Sequence, residues 1–348
     1  MRIATWHVEL TRKGPGLLLR DILTGDPQAE SVADTVAHIS PDILLLTGID
    51  YDMGLAALSA LADAIEARGT AFPHRFALRP NSGLMTALDL DGDDRTGGPR
   101  DAQGYGRFAG QGGMAVLSRY PVVTEEVRDF SALRWVELPG ARLPEMDGAP
   151  FPSAAALEVQ RLSSTGHWDV PVNLPDGGRV HLLAFAATPP VFDGPEDRNG
   201  KRNHDEIALW TAYLDNRLDD PPPRGPVVVI GNANLDPLDG EGRHEAMAAL
   251  LSHERLQDPR PGSSGGATAA KTQGGANSTH KGDPALDTAD WRDLAGPGNL
   301  RVSYVLPDAD LLVVGAGVAW PSETAPAPSA AALRHHLVWV DVAPPVRP

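Results

Sequence analysis

Two asparagines, Asn232 and Asn234, close the run Val227-Val228-Val229-Ile230-Gly231-Asn232-Ala233-Asn234-Leu235-Asp236-Pro237. Four β-branched residues in a row read as a strand buried on both faces, which Gly231 is expected to break. Side chains at such a rim sit on a rigid support facing a cleft. Neither amide carries a negative charge or takes a proton at neutral pH, so neither serves as a general base. Asn is equally at home in a plain turn where a strand ends. His7 lies on the first predicted strand, where a hydrogen-bonded core imidazole is the plainer reading. His335 and His336 are adjacent before a last strand, so at most one of them faces the cleft. The stretch Asp89-Leu90-Asp91-Gly92-Asp93-Asp94 alternates its carboxylates at Asp89, Asp91 and Asp93, a spacing suited to a hard cation such as Ca²⁺. It departs from the EF-hand pattern, with Gly92 fourth, Asp94 sixth and no Glu twelfth; a solvated acidic loop is the alternative. The acids of 193–199 either border the cleft or bond within a surface loop.

The elements that must position these residues follow from periodicity. Strands are predicted at 3–8, 43–46, 113–118, 180–185, 227–230, 301–306 and 337–342, and helices at 31–39, 55–67, 205–218 and 245–251. A turn into a short helix is predicted at 14–23. Long loops are expected at about 80–113, 121–164 and 261–290. No composition shift or fixed-period repeat divides the chain, so 1–348 reads as a single domain of two packed sheets with helices outside. The 348 residues include 42% hydrophobic ones, enough for a substantial core. The absence of cysteine excludes disulfides, thiolate metal sites and a thiol nucleophile. A net charge of −16 repels polyanions, so non-specific nucleic-acid binding is not expected. No apolar run approaches the ~20 residues of a membrane helix. No leader sequence precedes the first strand, which places the protein in the cytoplasm if Met1 is the native start, or outside it if a leader was removed.

The runs 14–21, 41–46, 98–104, 110–119, 167–172 and 188–200 together resemble the endonuclease/exonuclease/phosphatase superfamily, and within it a bacterial branch of unassigned substrate. The resemblance implies an α/β (α+β) fold, the four-layer α/β/β/α sandwich of two mixed, helix-flanked sheets known as DNase I-like. It also implies divalent-metal hydrolysis of phosphate esters at the sheet rims. At the positions such an enzyme uses, this sequence departs. His7 stands for the metal-binding Asn of the first strand. The metal-binding acid after the second strand falls at or near Gly48, with Asp50 and Asp52 close by. Ala186 stands for a His. Asn232 replaces the acid of Gly-Asp-x-Asn, while Asn234 is kept. Ser303 replaces the Asp of Arg-x-Asp-Tyr, and Arg334 replaces that of Ser-Asp-His, whose His survives as His335.

A Mg²⁺ site needs oxygen ligands, normally with one or two carboxylates. Arg334 would oppose the metal, and His335 without an acid partner loses the group that fixes its tautomer. The resemblance therefore implies a weakly active or inactive member, with Asn234, His335 and Arg334 left to hold a phosphate or carboxylate of a small ligand, or to meet a protein partner. The alternative is an active phosphoesterase in which His7, His335 and Asp50 bind Zn²⁺ or Mn²⁺ instead.

Overall fold

A computed structural model describes residues 1–292, 294–321 and 333–343. In chain order the strands are β1 (Arg2–Leu10), β2 (Ile43–Ile49), β3 (His74–Phe76), β4 (Gly113–Ser118), β5 (Arg128–Asp129), β6 (Glu145–Met146), β7 (Ala149–Pro150), β8 (Gly166–Asn173), β9 (Arg179–Ala186), β10 (Val227–Asn232), β11 (Ala289–Asp290), β12 (Asn299–Leu300), β13 (Ser303–Pro307), β14 (Leu312–Val318) and β15 (Val338–Ala343). The helices are α1 (Leu17–Leu23), α2 (Pro27–Ile39), α3 (Ala56–Glu66), α4 (Ala154–Val159), α5 (Arg198–Leu214), α6 (Glu245–Leu251) and α7 (Ser264–Gln273).

Two mixed sheets carry the architecture, ordered β14-β15-β1-β2-β4-β3 and β13-β10-β9-β8-β5. Strand alternation divides the apolar residues into three layers. Ala4, Trp6 and Val8 face outward to α1, α2 and α3, whereas Ile3 joins Val228, Ile230 and Val305 between the sheets. Val227 and Val229 face outward to α5 and α6. The result is the predicted α/β/β/α sandwich, an α+β fold.

Most elements built from buried aliphatic runs fall where the sequence places them; β8, β14 and α4 are additional to the predicted ones, and three further differences bear on the site. Gly231 does not end β10, which runs on through Asn232. Its φ of +147° and a would-be Cβ only 1.9 Å from the Phe185 carbonyl oxygen explain the residue: the neighbouring strand passes too close for a side chain. The Gly/Ser/Thr-rich segment expected to be a loop contains α7, started by a Ser263 side chain that accepts from the Gly266 N–H. Helix α5 begins seven residues before its expected start, because Arg198, Arg202 and Asn203 are buried and make up a polar inner face that hides the apolar period.

Candidate active site

Strand register decides which side chains meet. Parallel β9–β10 pairs Ala186 with Asn232, and antiparallel β10–β13 pairs Asn232 with Ser303. Directly opposed residues share a face, so Ala186, Asn232 and Ser303 form one row at the rim of the second sheet. On the first sheet, β1 lies over β10 and β13. The two-residue period that points Ile3 into the inter-sheet core carries Thr5 and His7 along the same face toward that row.

His7 bonds through Nδ1 to the Thr47 hydroxyl at 3.0 Å, and its ring centre lies 4.5 Å from that of His335. Trp291 packs edge-on against the same His335 at 5.3 Å. Desolvation lowers the His7 pKa to about 4, and the Arg334 charge adds to the shift. His335, 4% exposed, is held well below its ordinary pKa first by desolvation and then by the neighbouring His7 and Arg334 charges. Both imidazoles are neutral in the physiological range. Nδ1 of His335, Oγ of Ser303 and Oγ1 of Thr5 are buried without hydrogen-bond partners among the described residues.

Gly48 explains why His7 fits. Its φ is +69°, and a Cβ built there would fall 2.7 Å from His7 Cε1 and 2.9 Å from Nε2. The His7 ring fills the space through which a side chain at 48 would leave β2, so the two positions are coupled. Replacing Gly48 with Ala is expected to destabilise the fold by roughly 2–4 kcal/mol, from strained φ and overlap together. His7→Ala in the same chain should recover the overlap part, giving a coupling of about 1 kcal/mol or more in urea unfolding. Additive effects would mean the ring moves aside freely.

Both asparagines are spent on the turn. Asn232 Oδ1 accepts the Asn234 N–H at 3.0 Å, and Asn234, at φ +49°, donates its side-chain amide to the Ala187 carbonyl at 2.7 Å. Arg334 does not stand free in the cleft as the anion-binding group the sequence predicts. It lies half-exposed at the rim, 3.4 Å from the Glu9 carboxylate, so its charge is already met. Asp50, expected beside His7 as a metal ligand, is engaged elsewhere. Its two oxygens instead accept the Arg12 and Gly112 N–H groups at 2.8 and 3.0 Å, tying together the segments after β1 and before β4.

The acidic loop needs a second correction. Among the described residues the convergent set is Asp89, Asp91 and Asp101, with ligand atoms within 4.8 Å of one another; Asp93 turns away and caps the Arg95 N–H. Asp89 accepts three N–H groups of its own loop and Asp101 accepts those of Leu90 and Gly98. Arg100 stands 3.9 Å from Asp91, and the buried Arg198 feels the same carboxylate. Backbone donors and arginines thus supply most of what Ca²⁺ would.

The divalent metal implied for the rim can be tested against the donors present. No third His, Asp or Glu converges on His7 and His335 among the described residues. Two neutral imidazoles, two amides engaged in a turn and a few neutral hydroxyls do not fit Mg²⁺, a hard ion that wants carboxylate oxygen. Reading residues one at a time missed Thr288, whose hydroxyl accepts the N–H groups of both Val302 and Ser303, and missed Glu9 and Trp291. Their roles depend on strand packing, and nothing in their local sequence signals it.

Solved structures align over nearly the whole chain. A protein described as an endonuclease/exonuclease/phosphatase from Beutenbergia cavernae is 17% identical, with a TM-score of 0.55, covering 99% of this chain and 72% of its own. A family protein from Leptotrichia buccalis is 14% identical at a TM-score of 0.52, with 99% of each chain covered. Sphingomyelinase C from Streptomyces griseocarneus, 17% identical, reaches 0.50 with 99% of each covered. At these identities the likeness shows the fold. No curated protein matches the chain. The sequence pattern of the Endonuclease/Exonuclease/phosphatase family matches residues 16–329, and the chain belongs to that family.

Proposed function

We propose that this protein keeps the family's sandwich and rim but works by binding, not by cutting phosphate esters. The observation that supports this reading most is the rim row Ala186–Asn232–Ser303, which faces His7 and His335, a pair that no third acidic or imidazole ligand joins among the described residues. Among the described residues, then, the rim offers no carboxylate set for a hard metal, no acid that orients His335 and no anionic base. Removing even one member of such a unit typically lowers rates by orders of magnitude. The bound species is a small ligand or a protein partner. A bare polyanion is disfavoured by the net charge of −16.

One observation favours a second reading, a phosphoesterase running on a borderline metal such as Zn²⁺. The two imidazoles are neutral and adjacent, and His335 Nδ1 has no partner. The discriminating experiment assays phosphodiesters and phosphomonoesters with Mg²⁺, Mn²⁺, Ca²⁺ and Zn²⁺, alongside metal analysis of the purified protein. Turnover no higher than that of metal ions in buffer, unchanged by His335→Ala, is expected. Turnover that His335→Ala abolishes, or one equivalent of transition metal lost in that variant, would establish the second reading instead.

A further inference from the structure

Beside the rim, on the side of α7, lies a cavity of about 80 Å³. Its polar lining comes from Asp239, Asn277, His280 and Asp287, and among the described residues no Lys or Arg lines it. That volume holds several waters, or an ammonium group with a short alkyl stem. Asp239 takes the N–H groups of Lys281 at 2.8 Å and Gly282 at 2.7 Å on its two oxygens. Asp236, behind it, accepts from Leu238, Asp239 and Arg301. Asp287 is different. It is 7% exposed and lines the cavity, yet its carboxyl has no hydrogen bond or ion pair among the described residues.

The Asp287 oxygens open onto the cavity, but a carboxyl on so buried a residue with no protein partner among the described residues is uncommon, because the water it loses is only partly replaced. Here the surroundings make it worse: Asp236 and Asp239 from the segment after β10, and Asp283 from its own turn, are all acids. Desolvation first, and then these three charges, push the Asp287 carboxyl up to about 8. The Arg301 guanidinium is committed to Asp258, and Arg260 reaches toward Asp283 at 3.8 Å, so neither fills the cavity. Among the described residues the cavity is therefore walled by acids, one of them without a protein partner, and by no Lys or Arg.

We propose that this cavity is a binding site for a small organic cation bearing a primary ammonium group. A single metal ion is a poorer occupant. The only three acidic or imidazole ligand atoms within 4.8 Å of one another among the described residues lie in the Asp89 loop, so Asp239, His280 and Asp287 are too far apart to close on one ion. An ammonium needs no closed ring of protein ligands: one N–H···O contact of about 2.8 Å to Asp287 carries the charge pairing, and water or a single further acceptor meets its other N–H groups. Its charge also lets Asp287 ionise, so binding below the carboxyl's pKa releases a proton.

Isothermal titration of the whole protein with propylammonium, in buffers of different ionisation enthalpy, tests this. Binding with release of close to one proton at about pH 6.5 and of none above about pH 9 is expected. Asp287→Asn should weaken binding at least about tenfold and remove the proton release, and His280→Ala should weaken it while leaving the release intact. Tetramethylammonium, which has no N–H, should not bind. No binding of propylammonium, equal binding by tetramethylammonium, unchanged binding in folded Asp287→Asn, or saturable Ca²⁺ binding in its place would each overturn the proposal.

Discussion

A variant carrying Ala186→His, Asn232→Asp, Ser303→Asp and Arg334→Asp is expected to stay inactive with Mg²⁺. Hydrolysis of a generic phosphodiester should rise only when His7→Asn and Gly48→Glu are added, by about a hundredfold or more. The first four changes return charge to the rim of the second sheet, where register sets positions 186, 232 and 303 side by side. They leave the first sheet as it is. There the His7 ring sits above Gly48, and a side chain at 48 would meet it at 2.7 Å. An aspartate pair without a metal also repels itself across the roughly 4.8 Å between strands, so the four-fold variant should be less stable than the parent. Removing the ring opens the space and the new glutamate supplies the missing oxygen. The φ of +69° at position 48 charges the six-fold variant about 1–2 kcal/mol, softened because pairing is irregular there on both neighbouring strands. Equal turnover of the four-fold and six-fold variants would show that the ring does not exclude the metal.

The ease with which the fold could be read, against the difficulty of the site, has a physical cause. Strands β2, β4 and β10 are buried along every residue, and a continuous aliphatic run reports that directly. Helix α7 could not be seen, because Gly265 and Gly266 near its start read as loop. Trp320 and Pro321 press against that end so closely that a Cβ at 265 would fall 2.5 Å from the Pro321 carbonyl oxygen. Tertiary packing there overrides a poor helix propensity. Strand β14, Leu-Val-Val-Gly-Ala-Gly-Val, lost its alternation to the same residue type. The candidate site was legible as a set of substituted positions only through the family resemblance, since register between β9, β10 and β13 is a property of pairing. The coupling of His7 to Gly48 was not legible at all: it links two adjacent strands far apart in sequence. The same holds for Asp101, which the chain folds back to Asp89 and Asp91 in place of the nearer Asp93.

Asp287→Asn is expected to stabilise the protein in mildly alkaline solution by on the order of 4 kcal/mol, and to change it little near pH 4. The sign follows from where the proton sits. The folded chain holds the Asp287 proton up to about 8, while an unfolded aspartate gives it up near 3.8. The contribution of this group to stability is therefore fully present below the unfolded value and is lost as pH rises through the folded one. Asparagine has no proton to lose, so the difference between variant and parent should climb between about pH 4 and pH 8 and level off above. Self-repulsion of a chain with net charge −16 also weakens the fold as pH rises, but it acts on both proteins and drops out of the difference. Urea midpoints measured across this range give the curve directly. A carboxyl that found water or a counter-charge in the cavity would titrate normally and leave the difference flat. Added propylammonium should lift the parent at high pH, where Asp287 is charged, and lift Asp287→Asn by at least about 1 kcal/mol less at saturating ligand, because stabilisation follows affinity for the folded state.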